Sequence, residues 1–215
     1  MTPNPLLPLF KEQLEAECGS IGRDQNLSVR GHTLIYWYFK RLLRFSDADV
    51  AEVICDGAAD LGIDAIWIDD DELVHFFQFK NPENDVKSVP GGEIDKLISG
   101  LRLILFRKHD QIANEELKAR LDEVYSLVPK GYRIHIISSG RGIEKESEIK
   151  LNALVDELRN PSNNMVEWDV QSLENLQERF YQQNLPAVEQ PVRFTLQSPP
   201  YMLRSERQIV IYSPS

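Results

Sequence analysis

Asp64, Gln78 and Lys80 are the residues whose types and spacing suit chemistry. Gln78 and Lys80 stand two apart in the apolar, aromatic run LVHFFQFK. In an extended strand their side chains leave one face, while Phe77 and Phe79 take the opposite, core-facing side. Asp64 stands in the short β-branched run Ile63 to Ile68. A carboxylate and an amide oxygen together suit a hard divalent cation such as Mg²⁺ or Mn²⁺. A lysine beside such an ion can orient an attacking water and help take its proton.

The elements that must bring these groups together are two strands, Ile63 to Ile68 and Leu73 to Lys80. Asp69-Asp70-Asp71-Glu72 between them cannot be buried together, so they mark an exposed turn. That turn sets the start of the first strand opposite the end of the second, and so brings Asp64 to Gln78 and Lys80.

The string Asp56-Gly57-x-x-Asp60-x-Gly62-Ile63-Asp64-Ala65, followed by Gln78-x-Lys80, resembles the PD-(D/E)xK nuclease superfamily. The likeness is to the Mrr-type branch with glutamine in place of the second acid. It is nearest to the N-terminal nuclease domain of abortive-infection phage-resistance (AIPR) proteins, and covers residues 30–140. The resemblance implies an α/β, restriction-endonuclease-like fold: a mixed central sheet flanked by helices, here with extra N-terminal helices. It implies a Mg²⁺- or Mn²⁺-dependent DNA endonuclease, in anti-phage defence, and permits a homodimer. Asp64, Gln78 and the backbone carbonyl of Phe79 would hold the ion, and Lys80 would handle the water. A first-helix glutamate often completes such sites. Glu52 is the candidate by position, with Glu15 and Glu17 behind it. Asp60 would hold a second ion or a water; alternatively Asp56 and Asp60 fold their loop through their own backbone bonds. Gln78 removes one negative charge from the pattern. That keeps open a catalytically weak module of the same fold that binds DNA or a partner protein. A third reading makes Asp64 and Lys80 a buried ion pair, which seldom stabilises a fold on balance.

The net charge of −10 argues against a general nucleic-acid coat protein. Between Ser46 and Glu72 every charged residue is acidic. The basic clusters Lys40-Arg41-Arg44 and Arg102-Arg107-Lys108 lie outside that stretch, and Lys40 and Arg44 are candidate phosphate-backbone contacts. Ser138-Ser139-Gly140-Arg141-Gly142 offers a phosphate site through backbone amides and Arg141, or a plain strand-to-helix turn. Cys18 and Cys55 form no spacing motif, and read as buried free thiols. With no signal peptide and no long apolar run, the expected setting is a reduced cytoplasm, without membrane association.

Apolar spacing predicts helices over Leu6–Cys18, Leu27–Phe45, Asp47–Ile54, Glu93–Arg107, Ile112–Val128 and Ile143–Leu158, and from Ser172 to Tyr181. Gly19 to Asn26 reads as a loop, and VAEVIC has strand as its alternative. Strands are expected at Arg133–Ser138, parallel to the hairpin, and at Met165–Val170. His75 shares a face with Phe77 and Phe79, so it reads as packed; His32 reads as a core or surface histidine. The polar run after Lys80 is an exposed loop able to track a substrate. Residues 1–184 form the expected nuclease domain. Residues 185–215, rich in proline, read as a linker with short strands Val192–Leu196 and Gln208–Tyr212, the start of a second domain. The end at YSPS, just after apolar QIVIY, suggests a piece of a longer protein or a short member of the family.

Overall fold

A computed structural model describes residues 4–27, 29–55, 60–83, 86–108, 112–162 and 165–184. Among these, seven helices surround one four-stranded sheet. The elements run α1 (Leu7–Asp24), α2 (Arg30–Leu42), α3 (Asp47–Val53), β1 (Ala65–Ile68), β2 (Leu73–Lys80), α4 (Gly91–Leu105), α5 (Glu115–Ser126), β3 (Gly131–Ser138), α6 (Lys145–Ser162), β4 (Met165–Gln171) and α7 (Leu173–Asn184). The sheet order is β1-β2-β3-β4. β1 pairs antiparallel with β2, and β2, β3 and β4 run parallel.

The parallel pairs are those joined through helices, as a crossover between parallel strands requires. Strand alternation sorts the core into two layers. Val74, Phe76, Ile134 and Ile136 pack with Ile94, Leu97 and Leu101 of α4, Leu117 and Leu121 of α5, and Leu151 and Leu154 of α6. Phe77, Phe79 and Ile137 face the other way, onto Phe10 and Leu14 of α1, Tyr38 and Phe39 of α2, Val50 of α3 and Leu176 of α7. This is a mixed α/β architecture with helices on both faces of the sheet.

Several expectations change. α1 continues to Asp24 instead of stopping at Cys18. Gly19 and Gly22, read as loop residues, lie inside it. A Cβ on Gly22 would approach Leu27 O at 3.2 Å and Thr33 Cγ2 at 3.3 Å, so glycine there lets the chain fold back closely onto α2. α2 is shorter than expected, ending at Leu42, because Arg44 turns into the left-handed region at φ 64°. α3 forms as a helix, and Ser46 and Asp49 cap it reciprocally. β1 starts at Ala65, two residues late, because the preceding residues are spent on a turn. The backbone separates into two units, Met1–Gln183 and Asn184–Ser215. The expected strands Val192–Leu196 and Gln208–Tyr212 lie outside the described residues, as does Asp56. Among the described residues no helix is long and apolar enough to cross a membrane.

Candidate functional site

The loop that delivers Asp64 is built by a tight turn. Ile63 N donates to Asp60 O at 2.9 Å, and the two residues between, Leu61 and Gly62, both have positive φ (57° and 78°). Two positive-φ residues inside such a hydrogen-bonded turn are the pattern of type I′. Asp60 Oδ1 reinforces it by accepting from Gly62 N at 2.8 Å. The loop-folding alternative for Asp60 is therefore what its carboxylate does here. Gly62 is needed on two counts. Its φ favours glycine, and a Cβ would stand 3.1 Å from Leu97 N and 3.2 Å from Gln78 Nε2.

From this turn Asp64 enters the sheet edge. Its N–H donates to Phe77 O at 2.8 Å, and its carbonyl accepts from Cys55 N at 3.0 Å. The pairing of Ala65 with Phe77 puts Asp64 beside Gln78, as the hairpin argument required. The Asp64 side chain is almost buried, at 7% exposure, and its Oδ2 accepts the Phe79 N–H at 2.5 Å. Phe79 thus meets Asp64 through its amide. Its carbonyl leaves the same side of the strand, past the start of β1.

Gln78 is fully buried. Its Nε2 donates to Glu93 O at 3.4 Å, which fixes the amide orientation, because an oxygen there would face another oxygen. Oε1 consequently points the other way and, among the described residues, meets no hydrogen-bond donor. A buried acceptor left unpaired costs about 1–3 kcal/mol, so it calls for a partner.

Lys80 does not pair with Asp64. Its Nζ reaches Glu93 Oε2 at 2.7 Å, with both side chains about one-third exposed. The buried Asp64–Lys80 ion pair is therefore set aside. Glu93 is a residue that motif reading passed over, since it arrives from α4, across a loop from the strand. The signal available was its place at the N-terminal end of the Ile94/Leu97/Ile98/Leu101 stripe, where a flanking polar side chain reaches the sheet. Three residues on, Lys96 Nζ reaches Asp60 Oδ1 at 2.5 Å. That hydrogen bond, working against burial and aided by the charges of Asp60, Glu93 and Asp64, holds the Lys96 ammonium above its usual range.

Other candidates fall away from this cluster. Glu52 is exposed on α3 and lines a cavity of about 460 Å³ with His32, Tyr36, Glu116 and Arg120. Of the weaker candidates, Glu15 pairs with Arg30 at 3.7 Å, and Glu17 holds Arg41 at 2.9 Å. Lys40 pairs with Asp47 at 2.5 Å. The helix bearing it covers the Phe77/Phe79 face, opposite Gln78 and Lys80, so neither Lys40 nor Arg44 beyond its end is brought to the site. Three amides of the Ser138–Gly142 turn are spent: Ser139 N donates to Lys80 O, Gly140 N to Ser138 Oγ and Arg141 N to Lys87 O. A phosphate cradle of those N–H groups is not available, and Arg141 retains only its exposed side chain. Cys18 and Cys55 are both buried and outside any disulfide, and burial pushes the Cys18 thiol up to about 12.

Among the described residues, no three side chains of His, Cys, Asp or Glu lie close enough to cage an ion unaided. What the cluster offers is a carboxylate (Asp64), an orphaned amide oxygen (Gln78) and a second carboxylate one ion pair away (Glu93). That fits a cation of Mg²⁺ type, which keeps much of its water and takes one or two carboxylates plus substrate oxygens. Comparison with protein-family models, with curated proteins and with solved structures found no match.

Proposed function

We propose that the chain is a divalent-metal-dependent DNA endonuclease of restriction-endonuclease-like fold, acting in anti-phage defence. The observation that supports it most is the buried Gln78 Oε1, without a donor among the described residues, on the residue that the strand register sets opposite Asp64. Asp64 and Gln78 would hold Mg²⁺ or Mn²⁺, with the Phe79 carbonyl and Glu93 as further oxygen donors. The ion would supply Lewis-acid activation of the phosphodiester. Lys80 leaves Glu93 to orient the attacking water and to offset charge building on the phosphate. Glu93 holds that ammonium in readiness and keeps it off Asp64. Asp60 fixes the turn that aims Asp64.

The protein is expected to nick plasmid DNA in Mg²⁺ or Mn²⁺. Asp64→Ala and Lys80→Ala are each expected to lose at least roughly 100-fold, the equivalent of about 2.7 kcal/mol of transition-state stabilisation. A second reading, a binding module with lost catalysis, gains support from the expected phosphate-gripping residues Lys40 and Arg44, which lie on the other face of the sheet. DNA left intact in every metal tried, yet bound by the protein, would favour that module.

A further inference from the structure

Resting on the metal-site reading above, we infer that the site takes one divalent cation per chain, and that Lys96 stands in place of a second. Asp60 is the carboxylate that a second ion would need. Its Oδ1 is already held by the Gly62 N–H and by the Lys96 ammonium. Lys96 reaches it from α4, the element that also carries Glu93, and its side chain is 46% exposed at the rim of the cluster. The ammonium therefore neutralises Asp60 from the solvent side, where an ion would enter.

Charge balance points the same way. Among the described residues, Asp60, Asp64 and Glu93 face Lys80 and Lys96, so three carboxylates against two ammonium groups leave one negative charge. One divalent ion turns that into one positive charge, which a single phosphodiester cancels. A second divalent ion would add two more positive charges beside Lys96 in a half-buried site, where like charges repel strongly. The single ion belongs at Asp64 and Gln78, because Gln78 Oε1 is a buried acceptor that lacks a donor among the described residues.

The test counts ions in the full chain by calorimetric titration with Mn²⁺, cross-checked by the electron paramagnetic resonance signal of free Mn²⁺. Wild type should bind one Mn²⁺. Lys96→Ala should bind two, Lys96→Arg one, and Lys96→Ala combined with Asp60→Asn one again. Lys96 is half exposed, so these variants should fold; circular dichroism melting checks that they do. Two ions in wild type, or one in a folded Lys96→Ala, would overturn the inference and leave the metal site standing. No ion in either protein would overturn the metal site itself, and the inference with it.

Discussion

At the scale of single residues, Gln78 is the point where fold stability and proposed function oppose each other. Its amide oxygen is buried without a donor among the described residues. Gln78→Leu removes that unpaired acceptor and gives up only a long hydrogen bond to Glu93 O. In metal-free buffer the variant should be more stable by about 1 kcal/mol, a rise of roughly 2–4 °C in the unfolding midpoint. Added Mn²⁺ should then fail to stabilise it as it stabilises wild type. A variant that melts lower in metal-free buffer would mean that Oε1 already has a partner. That Asp64 falls opposite Gln78 was legible in the sequence, because strand alternation and one short turn set that register. Glu93 and Lys96 were not, because their partners are set by how a helix docks after a loop, and no local period encodes that.

At the scale of elements, α4 is what aims the site. It contributes Glu93 and Lys96, and it clamps the Asp60–Asp64 turn along its length. Leu61 packs onto Gly100 so closely that an added Cβ would lie 2.6 Å from Leu61 Cβ and 2.7 Å from Leu61 O. Backbone lies in the way, so Gly100→Ala should cost about 1–3 kcal/mol in urea unfolding and reduce Mn²⁺ affinity with it. Unchanged stability would show that the turn is not clamped there. The helices themselves were largely readable from apolar stripes, and β2 to the residue. The end of α1 was misread because its last turns carry glycine and polar residues, and tertiary closeness to Thr33, not local propensity, explains Gly22.

The opposite face of the sheet carries a second polar row, from the β1–β2 turn across β2 and β3 to β4. Asp69 Oδ2 lies 3.0 Å from His75 Nε2, His75 Nδ1 lies 2.9 Å from His135 Nε2, and His135 pairs with Asp169. The rings of His75 and His135 stack, and Trp67 covers His75 from β1. Burial, with the neighbouring charge of His135, lowers the His75 pKa below its ordinary value despite Asp69. Burial works against the Asp69 and Asp169 carboxylates, yet hydrogen bonds from His75 and His135 hold both below the usual range. A histidine with a lowered folded pKa destabilises the fold as pH drops below about 6.5, where the unfolded chain binds the proton more readily. The two carboxylates act in the same direction at lower pH, their contribution being lost as pH falls through their folded pKa values. Thermal stability should therefore fall between about pH 7 and about pH 5, and His75→Phe should flatten that fall. A midpoint that stays level or rises on acidification would contradict this assignment.

At the scale of the molecule, the sheet divides two tasks: one face holds a packed aromatic layer and the histidine row, the other receives α4 and the metal-site candidates. The net charge of −10 would favour a bound cation and oppose the approach of DNA. On this account the ion does more than activate the phosphate, since it also reverses the local sign that a DNA strand meets. DNA binding should accordingly strengthen on adding Mg²⁺ or Ca²⁺, and Asp64→Ala should lose that response. The most direct test of the central claim is a crystal of the protein soaked in Mn²⁺, read by anomalous diffraction. The expected result is one peak within about 2.5 Å of both the Asp64 carboxylate and Gln78 Oε1. A Gln78 Oε1 bonded to a protein donor or to water, with no ion beside it at saturating Mn²⁺, would contradict the claim.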